Sequence, residues 1–291
     1  MKRNILIGVL AAVVLIALVW GISLKRGVGS PTPARRVDVP AIPATAAAPR
    51  VAKAAAPSSL DALLKEAEAR AKKGEFLEVQ RVLRDALARF AADPRIGDVQ
   101  RQLEAVNMSV LVSGLAVPEL TAQREVAAGD TLSMIADEFR TTVPFIMKQN
   151  GLTSDTIRAG QRLRIWTGRL GILIDKSQNT LMLRSNEDLV KTYPVSTGKD
   201  NITPVGTFKI VTKLVKPAWT HEGRIIPYGD PANILGSRWL GFDLSSYGIH
   251  GTTEPDKIGQ QVTAGCVRMR NADVEELYDL LPVNTEVTIM D

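Results

Sequence analysis

The sequence predicts a multidomain chain ending in a mainly β domain, which is preceded by an apolar N-terminal helix, a proline-rich linker, a helical segment and a small βααβ module. Three observations predict this. The length of 291 residues exceeds the roughly 100–200 residues usual for one domain. The stretch 5–24 carries no charge. The apolar period is helical over 58–113 and changes to short strand-like runs beyond residue 168. Hydrophobic residues at 45% and charged residues at 23% are ordinary globular values, which excludes wholesale disorder. Two histidines and one cysteine exclude zinc fingers, Cys-rich metal sites and a disulfide framework. The net charge of +5 suggests a nucleic-acid binder, but its distribution argues against one. Residues 1–57 hold eight Lys/Arg against the single acid Asp38, leaving 28 basic and 30 acidic residues beyond them. No basic excess remains there to meet phosphates, and nucleic acid is not an expected partner.

The uncharged run ILIGVLAAVVLIALVWGISL (5–24), at about 1.5 Å per residue, matches a hydrocarbon core of roughly 30 Å. Trp20 falls near one end, where an interfacial aromatic is comfortable. A cleaved signal peptide is the rival reading, but its apolar region is usually about 7–15 residues, and no small-x-small cleavage site follows. Residues 1–28 are therefore expected to be an uncleaved anchor in the cytoplasmic membrane. Lys2 and Arg3 precede the span, while Lys25, Arg26, Arg35 and Arg36 follow it. That count alone favours the opposite orientation, so the expected extracytoplasmic placement rests on the downstream modules. Residues 29–57 contain six prolines and many alanines with no apolar period, and read as a semi-extended tether.

Ser58 or Ser59 can cap a first helix with apolar residues at Leu60, Leu63, Leu64, Ala67 and Ala71, closed by Lys73-Gly74. Val79, Val82, Leu83, Ala86, Leu87 and Phe90 form a second stripe, stopped at Asp93-Pro94, and Val99, Leu103, Val106 and Val110 form a weaker third. The segment 58–113 resembles one tetratricopeptide unit without a second copy. Two readings stay open, a local helical spacer and a docking site for a protein partner.

Over 122–167 the rhythm changes. Val126 lies in a strand-like stretch, and Gly129-Asp130-Thr131 gives a turn and helix cap before Leu132, Ile135, Ala136 and Phe139. Thr142 caps a second short helix, Asn150-Gly151 ends it, and Leu163 and Ile165 sit in a closing strand. This βααβ unit of roughly 45 residues is only marginally stable by itself. VAAGDTLSMIADEF followed by QNGLTSDTIRAGQRLRI resembles the LysM domain, which implies binding to the N-acetylglucosamine-containing glycan of peptidoglycan or chitin. These residues are core, cap and turn positions, so a module kept only as a structural wedge is the alternative.

Residues 168–291 are strand-rich, with apolar runs at 170–174 and 181–183 around the Ser177-Gln178-Asn179 turn. Further strands are expected at 189–195, 207–212 and 287–290, with one helix at 273–281. Within this domain lies the lone cysteine, Cys266, in Thr263-Ala264-Gly265-Cys266-Val267-Arg268-Met269. A lone cysteine is often a small buried hydrophobe. Against that, Gly265 lets the backbone take a positive φ, and Arg268 brings a charge that favours a thiolate. His250 stands upstream in Tyr247-Gly248-Ile249-His250-Gly251-Thr252. A thiol and an imidazole can act as nucleophile and base, and amides around Gly265 and Cys266 can receive an oxyanion, provided the two residues meet in space.

YGIHGTTEPDKIGQQVTAGCVRMRNADVEELYDLLPVNTEVTI resembles the active-site stretch of the L,D-transpeptidase (YkuD-type) catalytic domain. Upstream, Thr203-Pro204-Val205-Gly206-Thr207-Phe208 and the stretch 227–239, ending Leu235-Gly236-Ser237-Arg238-Trp239, are similar to further family segments. One departure is Ala264, where many members carry His. The resemblance implies Cys266 as nucleophile, His250 as general base and later acid, and the Gly251 carbonyl as the group orienting the imidazole. It makes Arg268, Gly265, Trp239 and Tyr247 candidate substrate-binding residues, with Arg268 facing the donor peptide. His221 matches no catalytic position and reads as a pocket-wall or surface residue. The implied reaction is acyl transfer on peptidoglycan stem peptides, with no metal or cofactor. A sortase-like transpeptidase is disfavoured because its His stands much farther before the Cys, and an NlpC/P60-type peptidase because its Cys precedes its His. A glycan-binding scaffold with an inactive catalytic domain is the remaining alternative.

Overall fold

A computed structural model describes residues 59–291. The expected anchor at 5–24 and the linker at 29–57 lie outside the described residues. Among the described residues no helix is long and apolar enough to cross a membrane.

The chain begins with three helices, α1 (Leu60–Ala71), α2 (Phe76–Arg89) and α3 (Ile96–Val112). Ser59 Oγ accepts the Ala62 amide at 3.2 Å and so caps α1, and Gly74 at φ 74° makes the turn into α2. Leu60, Leu63, Val79, Val82, Leu83, Ala86, Val99 and Leu103 bury one another in a small helical core. The α3 stripe looked weak because its second half serves a different core: Met108 and Leu111 pack with the C-terminal domain. Buried Asn107 accepts from Gln80 Nε2 at 2.8 Å and donates to the Leu189 carbonyl at 2.9 Å, while Thr192 Oγ1 donates to Glu104 at 2.9 Å. The helical segment thus docks on its own chain through α3.

The βααβ unit follows as β1 (Thr121–Glu125), α4 (Leu132–Glu138), α5 (Val143–Asn150) and β2 (Arg162–Trp166), with β1 and β2 antiparallel. Thr131 and Thr142 accept the Met134 and Phe145 amides as caps, and Gly151 ends α5 at φ 61°. Val126 falls one residue past β1 but stays paired through the backbones of Gln161 and Gly160. Val126, Leu132, Ile135, Ile146, Leu163 and Ile165 make its core. Its marginal size is offset by docking: Phe145 enters the core of the C-terminal domain, Lys148 pairs with Asp279 at 2.8 Å, and Thr142 Oγ1 donates to the Asp279 carbonyl. Gln149, 2% exposed, donates to the Leu111 carbonyl and accepts the Trp166 amide, each at 3.1 Å, and so stitches α3 to this module.

The C-terminal domain is built on an eight-stranded mixed sheet of order β13-β11-β10-β7-β14-β3-β4-β5. Its strands are β3 (Leu170–Asp175), β4 (Thr180–Ser185), β5 (Asp188–Pro194), β7 (Gly206–Val215), β10 (Arg238–Phe242), β11 (Gly248–His250), β13 (Val267–Arg268) and β14 (Glu286–Met290). β7 serves both halves: Gly206–Lys209 pair with β14, and Ile210–Val215 pair with β10. Small sheets β6 (Thr197–Gly198) with β12 (Gln261–Thr263), and β8 (Trp219–His221) with β9 (Arg224–Ile226), flank it. Helix α6 (Asn271–Leu280) covers one face, where Leu240, Ile249, Val267, Val274 and Leu277 are fully buried.

Replacing Gln149 by Leu is expected to cost about 2 kcal/mol in a denaturant titration, because a buried carbonyl and a buried amide lose their partner. Replacing Lys148 by Ala, in a partly exposed ion pair, is expected to change the same midpoint by less than about 1 kcal/mol. Equal losses in the two variants would contradict Gln149 as the stitch between the modules.

Candidate active site

Strand alternation sorts the side chains of the sheet. Lys213, Leu240 and Ile249 are cross-strand partners on β7, β10 and β11, and Ile249 continues to Val267 on β13; the row from Leu240 to Val267 faces α6. One residue along, Leu214, Trp239, His250 and Arg268 form the neighbouring row, directed to the opposite face. Cys266 lies two residues before Arg268, in the turn that leads into β13. The parallel pairing of β11 with β13 therefore places His250 beside the strand that Cys266 leads into. The β13 strand is secured from its other edge by Ser196, which exchanges backbone hydrogen bonds with Arg268 at 2.8 and 2.9 Å.

The local turn explains the cysteine's setting. Thr263 Oγ1 donates to the Cys266 carbonyl at 2.6 Å and accepts the Gly265 amide at 3.2 Å, closing a tight Thr-Ala-Gly-Cys turn. Gly265 has φ 118°, and a Cβ there would come within 2.7 Å of the Tyr247 ring. Gly265 and Tyr247 thus pack against each other. One expectation is corrected here: the Gly265 amide is committed to Thr263 and does not point to an oxyanion. Cys266 Sγ donates to the Ser246 carbonyl at 3.4 Å. Burial pushes the thiol above its ordinary value of 9.0, opposed by a backbone hydrogen bond from Gly248.

His250 is 2% exposed, and its Nδ1 lies 2.7 Å from the Gly251 carbonyl, as the sequence reading proposed for that residue. Trp239 lines its other side, with ring centroids 5.9 Å apart and 20° between planes. Burial pushes the imidazole down to about 4; the bond to Gly251 and one to the Leu235 backbone oppose the shift, and the charge of Arg268 adds to it. The imidazole is therefore neutral near pH 7, and burial disfavours the thiolate. Because the folded value lies below the ordinary 6.5, His250 contributes stability that is present above about pH 6.5 and lost as pH falls through about 4.

Arg268 requires a second correction. Its side chain is only 6% exposed and its Nη1 donates to Glu254 at 3.0 Å, while Nε has no partner. Its charge adds to the lowering of His250. His221 is exposed on the β8–β9 hairpin, stacked on Trp219 at 4.3 Å. Thr263, Ser246, Gly248 and Glu254 were missed by sequence reasoning. Thr263 alone had a local signal, a hydroxyl two residues before a glycine; the others act across turns that spacing does not reveal.

This geometry fits a nucleophile made at the moment of attack: the thiol proton passes to the imidazole, whose Nδ1–H is held by a carbonyl. Alkylation of Cys266 by iodoacetamide is expected to accelerate from about pH 8 to about 10, without a plateau near neutrality. A rate already level by pH 7 would mean a preformed thiolate–imidazolium pair and would contradict the neutral resting state.

Comparison with known proteins follows the same division of the chain. Residues 169–289 match the family model of the L,D-transpeptidase catalytic domain, and residues 125–166 match that of the LysM domain. A putative L,D-transpeptidase YkuD of Bacillus licheniformis is 38% identical over 173 residues, covering 57% of this chain and 96% of that protein. Its counterpart in Bacillus subtilis is 36% identical over 172 residues, with the same coverage of 57% and 96%. Among solved structures, an L,D-transpeptidase from Mycobacterium smegmatis is similar over 45% of this chain and 64% of its own, with a TM-score of 0.37 and 18% identity, a likeness outweighed by the sequence relatives. With nearly the whole of the Bacillus relatives covered at more than a third identity, this chain belongs to the YkuD-type L,D-transpeptidase family and carries a LysM domain ahead of its catalytic domain.

Proposed function

We propose that this protein is a cysteine-dependent peptidoglycan L,D-transpeptidase, anchored through residues 5–24 with its folded domains on the extracytoplasmic side, in the periplasm or cell envelope. The observation that supports the reading is the parallel register of β11 and β13, which sets His250 beside the strand that follows Cys266, with Nδ1 of His250 2.7 Å from the Gly251 carbonyl. Family membership supplies the substrate class.

In the first half-reaction His250 takes the Cys266 proton as the sulfur attacks the carbonyl carbon of the third residue of a donor tetrapeptide stem. The oxyanion is received by the Cys266 amide, the Gly265 amide being held by Thr263. As the C–N bond breaks, the imidazolium protonates the departing amine of the terminal D-alanine and leaves a thioester on Cys266. In the second half an acceptor amine attacks that thioester, gives its proton to His250 and releases the thiol, giving a 3→3 cross-link or attaching another acceptor. Burial keeps His250 neutral near pH 7 and therefore able to accept a proton at the outset. Trp239 and Tyr247, packed on His250 and Gly265, wall the cleft that holds the stem, and the LysM module binds the glycan to which the stem is attached. The linker 29–57 gives the reach from membrane to wall.

The test incubates the full chain with purified disaccharide-tetrapeptide and follows products and intact protein by mass spectrometry. The expected result is D-alanine release with an acyl adduct on Cys266, absent in Cys266→Ala and slowed at least about 100-fold in His250→Gln. Release persisting in Cys266→Ala, or glycan binding with neither release nor adduct, would overturn the proposal, the latter outcome leaving a wall-binding scaffold.

A further inference from the structure

We infer that Asn271 is a positioning residue for His250: its side-chain amide ties together the two backbone segments that hold the imidazole. The inference deepens the proposed function and rests on its reading of His250 as the general base.

Asn271 is the first residue of α6, where a polar side chain usually faces solvent or serves the helix terminus. Its amide does neither. Oδ1 accepts the Ser237 amide and the Thr252 amide, each at 3.1 Å, and Nδ2 donates to the Thr252 carbonyl at 2.9 Å. Three hydrogen bonds from one exposed residue therefore go to backbone in two segments more than fifteen residues away in sequence. The two segments make room for it. Gly236 and Gly251 are the positions where an added Cβ would overlap Asn271 Oδ1, and Gly236 also has φ 64°. Glycine at both sites lets the amide seat between the loops.

These segments are also the ones that hold His250. The Gly251 carbonyl faces Nδ1 at 2.7 Å, and the backbone of Leu235, two residues before Ser237, is the other backbone group that favours the charged ring. The bond accepted from Thr252 fixes the peptide that follows Gly251, and the bond accepted from Ser237 fixes the segment that follows Leu235. A carboxylate would normally orient such an imidazole; here backbone carbonyls do so, and a carbonyl orients only as well as its own loop is held. Asn271 acts at one remove, touching neither His250 nor the reacting atoms.

The test uses the full chain as Asn271→Ala and Asn271→Asp. The His250 imidazole is titrated by NMR in the resting protein, and D-alanine release is measured against substrate concentration. In Asn271→Ala the titration of His250 is expected to move by about one unit or more from the parent value. Its kcat is expected to fall roughly ten-fold or more, with KM changed by less than about three-fold. Asn271→Asp keeps an oxygen for the Ser237 and Thr252 amides but loses the donor to the Thr252 carbonyl, and is expected to recover kcat in part, to a value clearly above that of Asn271→Ala. An unchanged titration and kcat in a folded Asn271→Ala protein would overturn the inference and leave a purely structural role. So would a loss in Asn271→Asp as large as that in Asn271→Ala, and this comparison remains decisive if the Ala variant does not fold. The titration needs no substrate, so it reads the positioning of His250 separately from the proposed reaction. If the parent releases no D-alanine, the proposed function fails while the titration still reports on Asn271.

Discussion

The parallel pairing of Ile249 with Val267 and of His250 with Arg268 is the constraint on which the proposed site depends. It comprises few hydrogen bonds, and neither strand is stable by itself. Both borrow rigidity from their surroundings: β11 from β10, β13 from the bridge to Ser196, and both from the apolar layer under α6. A slip of one residue of β13 against β11 would turn Val267 outward and Arg268 toward the core. The fully buried Ile249, Val267, Val274 and Leu277 oppose that slip, so the apolar core fixes the face that His250 and Arg268 present.

Burial also decides the protonation state of the pair. Desolvation disfavours charge on both partners, lowering the imidazole and raising the thiol. The two shifts work in the same direction and keep the resting site neutral. Arg268, buried beside Glu254, adds to the shift at His250. In the proposed function, a neutral site reserves charge separation for the bound substrate, where the imidazolium protonates the leaving amine.

The modules ahead of the catalytic domain are docked to it and to each other. Asn107 and Glu104 fasten α3 to β5, Lys148 and Thr142 fasten α5 to the end of α6, and Gln149 joins α3 to β2. Helix α6 thus carries contacts at both ends, the LysM module near Asp279 and the loops around His250 at Asn271. In the proposed function this fixes the direction from which a glycan held by LysM offers its stem peptide.

Much of the molecule was legible in the sequence. Ser59, Thr131 and Thr142 announced their helices because a cap is a local hydrogen bond, and the lone Cys266 and His250 stood out because few side chains do such chemistry. The family motifs around them supplied the reaction class. Other features were decided only by the tertiary structure, because they depend on neighbours distant in sequence. The second half of α3 read as a weak stripe until β5 supplied its partner. Arg268 close to Cys266 in sequence suggested a stabilised thiolate, but its side chain is buried with Nη1 engaged by Glu254. Gly265 was rightly read as a site of positive φ, whereas the commitment of its amide to Thr263 required the folded turn. Asn271 gave no local sign, since its bonds reach back to Ser237 and Thr252. The sequence determined which groups are present and which helices form; register and burial, set by contacts between distant segments, determined which groups meet and in which protonation state.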